Sequence, residues 1–518
     1  MARCGVREAW PSSWSRCGSR PRLPRSASCR HRTSSRAEEA AQRWIRMCRN
    51  LNSNCHVHPV RTDGLSPPCD GEQKLSFLDL LQISKTIQRL FFFDGPDLPP
   101  FPSLVSALRS SLAATLAVFL PLAGKLAFLP ASGDVVLDFS PAAVSSGVRF
   151  VEAEFSSGAD GMRRLARDAE HDTRAFVQLV PDLEARQLPA PVLAVQVTRP
   201  AGGGGGGAVA VGVSIRHAVA DGQAVWRFLR AWSTASREGP ASLAAPGFVQ
   251  PTFDRTGIRH PKAAEMARTV LSLVAPALPL LRSASSKPEI MQQSRRTFLL
   301  RADEIRSLKQ HILEQSRAVK GGEPSNSKPP STYVAISSLA WTSVLRAKPS
   351  IHDADDVQLM VSADCRNRLR PPLGDAFFGT CVKPCFARAS AGDLRRGGVA
   401  RAATAIQDAI RTHLEELGGD PLSDAESWTA AYRAVPQERF VAVGSSHRFM
   451  AYETDFGWGA PTRVELVSLF VRQMVTLLGA KDGGVQVSVA LDGSAMEAFA
   501  ASFVVPVSLV CPAAEGDT

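Results

Sequence analysis

The chain has 518 residues, 44% of them hydrophobic, so it is long enough to bury two or three cores. Its formal charge of +11 comes almost entirely from residues 1–62, which hold 13 arginines, no lysine and three acidic residues. The rest is nearly neutral and has no apolar run of the roughly 18–20 residues that a membrane span needs. We therefore expect neither a nucleic-acid nor a membrane partner.

Residues 1–72 are rich in Arg, Ser and Pro and show little apolar periodicity. They are interpreted as a disordered basic extension or as the product of a misplaced gene start. A plastid transit peptide would have the same composition and remains an alternative to a cytoplasmic location. A nucleic-acid-binding arm is a further alternative. A metal site is not expected, because the local Cys and His residues lack a recognised ligand spacing; they are Cys48, Cys55, His56, His58 and Cys69.

The first half is expected to span residues 73–238. A helix is predicted over residues 75–93, and a second over 104–118, where leucines repeat every four residues. Strands are predicted from β-branched, alternating segments at 125–129, 135–139, 192–198 and 209–215.

The sequence HAVADG, residues 217–222, follows the last of these strands and precedes an amphipathic helix. His217 is therefore predicted at a strand end, where rigid backbone can hold an imidazole at a cleft. Asp221 would either take part in chemistry or cap the helix. The same His–Asp spacing recurs at His352 and Asp356, in a charged stretch that is interpreted as a solvated loop.

Residues 239–293 show little periodicity and are interpreted as a crossover to a second half at 294–518. That half is predicted to begin with a strand at 296–300 and a helix at 302–317. A further helix is predicted at 333–346, and strands at 357–363 and 484–491.

The pair HAVADG and DFGWG (residues 455–459), in this order, resembles the BAHD family of plant acyl-CoA-dependent acyltransferases. The segments FLPLAGKL (119–126), STYVAISSLAWTSVLRAK (331–348) and ADCRNRLRPPLGDAFFGTC (363–381) resemble the family too. The last is similar to the branch that acylates anthocyanins and phenolic glucosides, although FFGTC replaces its YFGNC. No clear equivalent of the family's opening strand is found, and Cys55–Val60 is a poor candidate.

The resemblance implies an α/β fold with two halves. Each is a mixed sheet with flanking helices, and the active channel runs along their interface. It implies that His217 is the general base, that Asp221 and Gly222 are structural, and that Asp455 pairs with Arg366, with Arg368 as the second choice of partner. The resemblance also implies a monomer. Two further glycines, Gly457 and Gly459, would form a tight turn around Trp458, which would either pack or donate its N–H to an oxyanion.

Acyl transfer from a thioester needs a base and donors for the oxyanion, but no enzyme nucleophile. Acyl-CoA would be a co-substrate, and no bound cofactor is expected. Cations are candidates for its phosphates, and so are the hydroxyls at the start of a helix. These candidates are Lys287, Arg301, Lys328, Ser331 and Thr332.

The function expected from the resemblance is malonylation of a sugar hydroxyl on a phenolic or flavonoid glucoside. Arg199 or Arg216 would then meet the malonyl carboxylate. One alternative is transfer of a hydroxycinnamoyl group to a hydroxyl or an amine. A second is a non-catalytic homologue that binds small molecules.

Overall fold

The computed structural model describes residues 48–60, 71–183, 187–202, 207–281, 292–319, 328–415 and 419–510. Lys287 and most of the N-terminal extension lie outside these residues. The strands of the described part are β1 Cys48–Val57, β2 Glu72–Lys74, β3 Thr86–Asp94, β4 Lys125–Leu129, β5 Asp134–Asp138, β6 Val148–Phe155, β7 Ala190–Pro191, β8 Leu193–Pro200, β9 Ala208–Arg216, β10 Ser294–Leu300, β11 Asp356–Asp364, β12 Val382–Ser390, β13 Phe440–Ser446, β14 Arg463–Leu466, β15 Met474–Gly479 and β16 Val485–Leu491.

The helices flank these strands. In the described ranges they are α1 Phe77–Leu80, α2 Phe101–Val118, α3 Pro141–Val144, α4 Gly158–Arg167, α5 Thr173–Gln178, α6 Gly222–Glu238, α7 Ala263–Val274, α8 Ala302–Val319, α9 Thr332–Arg346, α10 Ala391–Leu414, α11 Trp428–Tyr432 and α12 Gly493–Val510.

Two six-stranded mixed sheets organise this part of the chain, as the family resemblance implied. The first has the order β1-β6-β8-β9-β3-β14, in which only the pair β6 and β8 is parallel. The second has the order β10-β16-β15-β13-β11-β12, with parallel pairs at β15/β13 and β13/β11. A smaller antiparallel sheet, β2-β5-β4-β7, joins the first half.

One face of the first sheet buries its apolar side chains against α2 and α6. The two helices are joined by Trp232, whose Nε1 donates to the Leu108 carbonyl at 3.2 Å and to Ser111 Oγ at 3.1 Å. Helix α2 has the length and hydropathy of a membrane span, and half of it is buried in the protein. Core helices share these properties, and the contacts with α6 explain its apolar composition.

Strand β1 corrects the expectation that residues 1–72 lack structure. It pairs antiparallel with β6, from Cys48 opposite Phe155 to Val57 opposite Val148, with register shifts between these ends. Alternation is weak in CRNLNSNCHV because the strand is at the sheet edge and contributes mainly backbone hydrogen bonds. Hydrophobic periodicity could not detect such a strand.

The predicted helix over residues 75–93 is also wrong. Only α1 is helical there; Ser76 caps it, and its side chain and that of Asp79 bond each other's backbone N–H groups. The rest of the segment forms β3, in which Leu90 and Phe92 lie on one face and Phe91 and Phe93 on the other, all buried. A strand buried on both faces has a continuous apolar sequence that periodicity does not distinguish from a buried helix.

Strand β14 belongs to the second half in sequence but to the first sheet in space. Its residues Arg463–Leu466 pair with Phe92–Arg89 of β3. The second half therefore completes the edge of the first sheet.

Candidate active site

His217 lies directly after β9, as the sequence predicted. Its backbone N–H donates to the Lys85 carbonyl at 2.9 Å, and its own carbonyl accepts from Thr380 Oγ1 at 3.0 Å. The imidazole centroid is 5.8 Å from the ring of Phe470. Backbone contacts from both halves of the chain therefore fix the position of this ring.

The imidazole of His217 is held in its neutral form. Burial, and then the charge of Lys85, lower the pKa of His217 to about 4. Its Nδ1 is buried and has no hydrogen-bond partner among the described residues, while the residue as a whole is partly exposed. A neutral, partly exposed imidazole can accept a proton at neutral pH, which is the property a general base needs.

Asp221 is a structural carboxylate, consistent with the capping interpretation. Its Oδ1 accepts from the Ala224 N–H at 3.1 Å and caps α6, and its Oδ2 accepts from the Cys381 N–H at 3.0 Å. Arg366 binds both oxygens, with Nη1–Oδ2 2.8 Å and Nη2–Oδ1 2.9 Å. Burial favours a higher pKa for Asp221, but Arg366 and the hydrogen bonds outweigh it and lower the pKa.

The predicted pair between Arg366 and Asp455 is therefore wrong. Arg366 is fully buried and also contacts Asp364 at 3.1 Å and the Gly379 carbonyl at 3.0 Å. Its real partner is Asp221, four residues after His217, which is 145 residues away from Arg366 in sequence. Spacing alone does not reveal such a contact.

The segment Phe377–Cys381 connects the two halves at the site. Thr380 holds the His217 carbonyl through its hydroxyl, and its own N–H donates to Asp79 Oδ1 at 3.0 Å. Asp79 is fully buried and also lies 3.5 Å from Arg255 Nε, while Arg255 Nη2 donates to the Val219 carbonyl. Neither Asp79 nor Arg255 is recognisable as a site residue from a sequence motif, although the capping pattern of Ser76 and Asp79 is a local signal for the former.

Gly222 allows the ring of Phe449 to come close to the start of α6. A Cβ there would lie 3.0 Å from the Phe449 ring, which follows β13 in the second half. The ring of Trp226, one turn further along α6, is 6.3 Å from the same phenylalanine. A side chain at position 222 would push the Phe449 ring away from the start of α6.

The DFGWG loop lies far from His217, at the opposite end of β3. Asp455 Oδ1 accepts the backbone N–H groups of residues 457, 458 and 459 at 2.8, 3.1 and 2.9 Å, and Gly457 and Gly459 have φ of 108° and 96°. The ring of Trp458 stacks on Phe456 and meets Phe93 edge-on. Phe93 is seven residues along β3 from Thr86, which pairs with Arg216, so it lies about 23 Å from the histidine end. Trp458 is therefore a packing residue and not an oxyanion donor.

The DFGWG loop binds the C-terminal end of α6. Ser236 Oγ donates to the Phe456 carbonyl at 2.8 Å, and Arg237 Nη1 donates to the Asp455 carbonyl at 3.1 Å. Strand β14 begins four residues after Gly459. The loop thus directs the chain from the second half into the first sheet.

The two arginines suggested for a substrate carboxylate are wrong for that role. Arg199 pairs with Glu154 at 3.3 Å, at the end of β8 remote from His217. Arg216 donates to the Pro191 and Leu183 carbonyls, on the face of β9 opposite Ile215. Their guanidinium groups are already bound elsewhere.

The residues suggested for CoA are described except for Lys287. Arg301 pairs with Asp303 and Glu304, and Lys328 is exposed. Ser331 caps α9 by accepting from the Val334 N–H at 3.2 Å, and Thr332 is the first residue of that helix. Their role in CoA binding stays a prediction.

The structure therefore has two mixed sheets with a neutral histidine held between the two halves. A family model described as the Transferase family matches residues 66–504. The chain belongs to this family, the BAHD acyltransferases, and is an acyltransferase.

Similar proteins agree with this assignment. Phenolic glucoside malonyltransferase 1 of Arabidopsis thaliana is 27% identical over 82% of this chain and 91% of its own length. Coumaroyl-CoA:anthocyanidin 3-O-glucoside-6''-O-coumaroyltransferase 2 of the same plant is 27% identical over 87% of this chain and 96% of its own. The crystal structure of vinorine synthase superposes with a TM-score of 0.62 at 19% identity, covering 87% of this chain and 96% of that one, which confirms the fold.

Proposed function

We propose that this protein transfers a malonyl group from malonyl-CoA to a sugar hydroxyl of a phenolic or flavonoid glucoside. The observation that carries the proposal is the neutral, partly exposed imidazole of His217, fixed by backbone contacts from both halves. The glucoside acceptor and the malonyl donor are proposed from phenolic glucoside malonyltransferase 1, which matches 82% of this chain.

The reaction needs one proton acceptor. His217 takes the proton of the sugar hydroxyl as the oxygen attacks the thioester carbonyl carbon, and a carbon–oxygen bond forms. The tetrahedral intermediate then expels the CoA thiolate as the carbon–sulfur bond breaks. The imidazolium returns its proton to that sulfur, so the enzyme ends the cycle in its starting state.

Asp221 and Arg366 act as positioning residues in this reaction. They bind each other and the backbone around His217, and no described contact joins either of them to the imidazole. Because all these residues come from one chain, we propose that a monomer is sufficient. A cytoplasmic location is likewise proposed.

The test is incubation of the purified full chain with malonyl-CoA or coumaroyl-CoA and a panel of phenolic and flavonoid glucosides. Mass spectrometry should detect malonylated glucosides. If only coumaroylated products form, the proposed donor changes from malonyl-CoA to coumaroyl-CoA, and the acyltransferase assignment stands. Absence of turnover with every donor and acceptor would favour a non-catalytic homologue.

A further inference from the structure

Two cationic side chains lie close to His217 without a carboxylate partner. Lys85 immediately precedes β3, and Arg89 is on the same face of that strand. The charge of each lowers the pKa of His217, which places both within electrostatic reach of the base. Neither forms an ion pair with any described residue, whereas the buried Arg255, Arg366 and Lys383 each do.

Arg89 is the more unusual of the two. Its relative exposure is 5%, its Nη1 donates only to the neighbouring Gln88 carbonyl at 3.0 Å, and its Nε is buried without a partner in the described part of the chain. Its guanidinium lies over the ring of Trp226 at 5.7 Å. The indole Nε1 of Trp226 is likewise buried and unpartnered among the residues described. Two unsatisfied donors side by side cost stability unless an acceptor joins them.

Lys85 lies nearer to the base than Arg89 along the same segment, because its carbonyl accepts the backbone N–H of His217. Its Nζ donates to Gln82 Oε1 at 2.8 Å and lies 5.6 Å from the centre of the Phe470 ring, which also contacts His217. Burial lowers the pKa of Lys85 to about 8 and that of Arg89 to about 9, so both carry charge at neutral pH.

We propose that Arg89 and Lys85, with the indole of Trp226, bind the free carboxylate of a dicarboxylic acyl group, so that these residues select malonyl-CoA over neutral acyl donors. The carboxylate carbon of a malonyl group is two carbon–carbon bonds, or about 2.5 Å, from the thioester carbonyl carbon. Because that carbonyl must lie beside His217, the carboxylate must lie within a few ångströms of the base. Lys85 is opposite His217 across the two strands, and Arg89, four residues further along β3, still acts electrostatically on the imidazole. The inference rests on the proposed function, since it assumes that the thioester is placed at His217.

The test compares malonyl-CoA with butyryl-CoA, a neutral donor of similar length. Specificity constants are measured with one glucoside for the wild type, Arg89→Met and Lys85→Met. The ratio of the malonyl to the butyryl constant should fall at least about tenfold in each variant, as expected for losing a charged hydrogen bond. Equal losses with both donors would overturn the proposal and assign the cations to the oxyanion instead.

Arg295→Met is a matched control. Arg295 is also 5% exposed with an unpartnered Nε in the described structure, but it donates to the Val467 carbonyl and the charge of Glu465 acts on it. Its replacement should leave the donor ratio unchanged. Arg89→Met should not lower the melting temperature, because it removes an unpaired buried charge, whereas a purely structural arginine would lower it. Lys85→Met, at a partly exposed position, keeps the proposal testable if Arg89→Met does not fold.

A binding experiment separates this inference from the proposed function. Calorimetric titration of each protein with malonyl-CoA and butyryl-CoA needs no turnover. Tighter binding of malonyl-CoA by the wild type, lost in the variants, would support the carboxylate site even if no glucoside were acylated. Equal affinity of the wild type for both thioesters would overturn it even if acyl transfer occurred.

Discussion

At the scale of single residues, the role of His217 is open to a direct test. His217→Ala should lower kcat by about 10²–10⁴-fold while the protein stays folded, because a positioned base is lost. His352→Ala is the control, since His352 has the same spacing to an aspartate but is exposed, in a turn before β11. Steady-state kinetics and circular dichroism would measure both; equal losses would contradict the assignment.

The depressed pKa of His217 predicts an unusual pH profile. Only the neutral imidazole accepts a proton, so kcat/KM should stay high down to about pH 5 and fall tenfold per pH unit below about pH 4. Removing the charge of Lys85 raises the pKa of His217, so Lys85→Met should move this acid limb to higher pH. A limb near the ordinary histidine value of about 6.5 in the wild type would contradict the buried environment.

The pair of Asp221 and Arg366 predicts a large stability effect. Asp221→Asn leaves the fully buried Arg366 without its main counter-charge, which should cost about 3–5 kcal/mol of unfolding free energy. Asp364→Asn is the matched control: Asp364 contacts the same guanidinium but its side chain is 39% exposed, so the loss should be about 1 kcal/mol or less. Denaturant titration would separate the two, and equal losses would show that Asp221 is not the dominant partner.

Much of the site could be predicted from local patterns. His217 and the capping role of Asp221 follow from a strand and a helix that meet at HAVADG. Arg255 and Thr380 could not be found in this way, since their contacts join segments far apart in sequence, and for Asp79 the capping pattern with Ser76 is a local signal of the residue but not of its contacts with Arg255 and Thr380. Lys85 is partly an exception, because a single lysine within the apolar segment 75–93 is itself a local signal of a special position.

At the scale of elements, the DFGWG loop is a turn that closes on its own backbone. Asp455→Ala removes three accepted hydrogen bonds and should lower the unfolding free energy by about 2 kcal/mol. Asp455→Asn keeps an amide oxygen in place and should lose much less. Thermal unfolding measures both; if Asp455→Asn were as damaging as Asp455→Ala, the charge and not the turn would matter.

The elements that sequence analysis located are those with one clear periodicity. Strand β4 has its predicted bounds, and α8, α9, β9 and β11 differ from theirs by one or two residues. Strands β1 and β3 were missed for opposite reasons. The first is polar and at an edge, and the second is apolar on both faces, so neither shows alternation.

At the scale of the whole molecule, β1 predicts where the chain can be shortened. A truncation that starts at Met47 retains β1, whereas one that starts at Pro59 removes it and exposes the backbone of β6. The second protein should have a lower melting temperature and aggregate more readily, because an open strand edge invites intermolecular pairing. Light scattering and calorimetry would compare the two, and identical behaviour would show that β1 is dispensable.

The contribution of β14 to the first sheet bears on how members of this family can be recombined. A chimera joined near residue 293 would pair β3 from one parent with β14 from the other, and the first parent's α6 with the second parent's DFGWG loop. Residues 455–466 should therefore be inherited together with the first half, although they are distant in sequence. Exchanges of donor or acceptor preference between relatives are then better designed as three-segment grafts than as a single crossover.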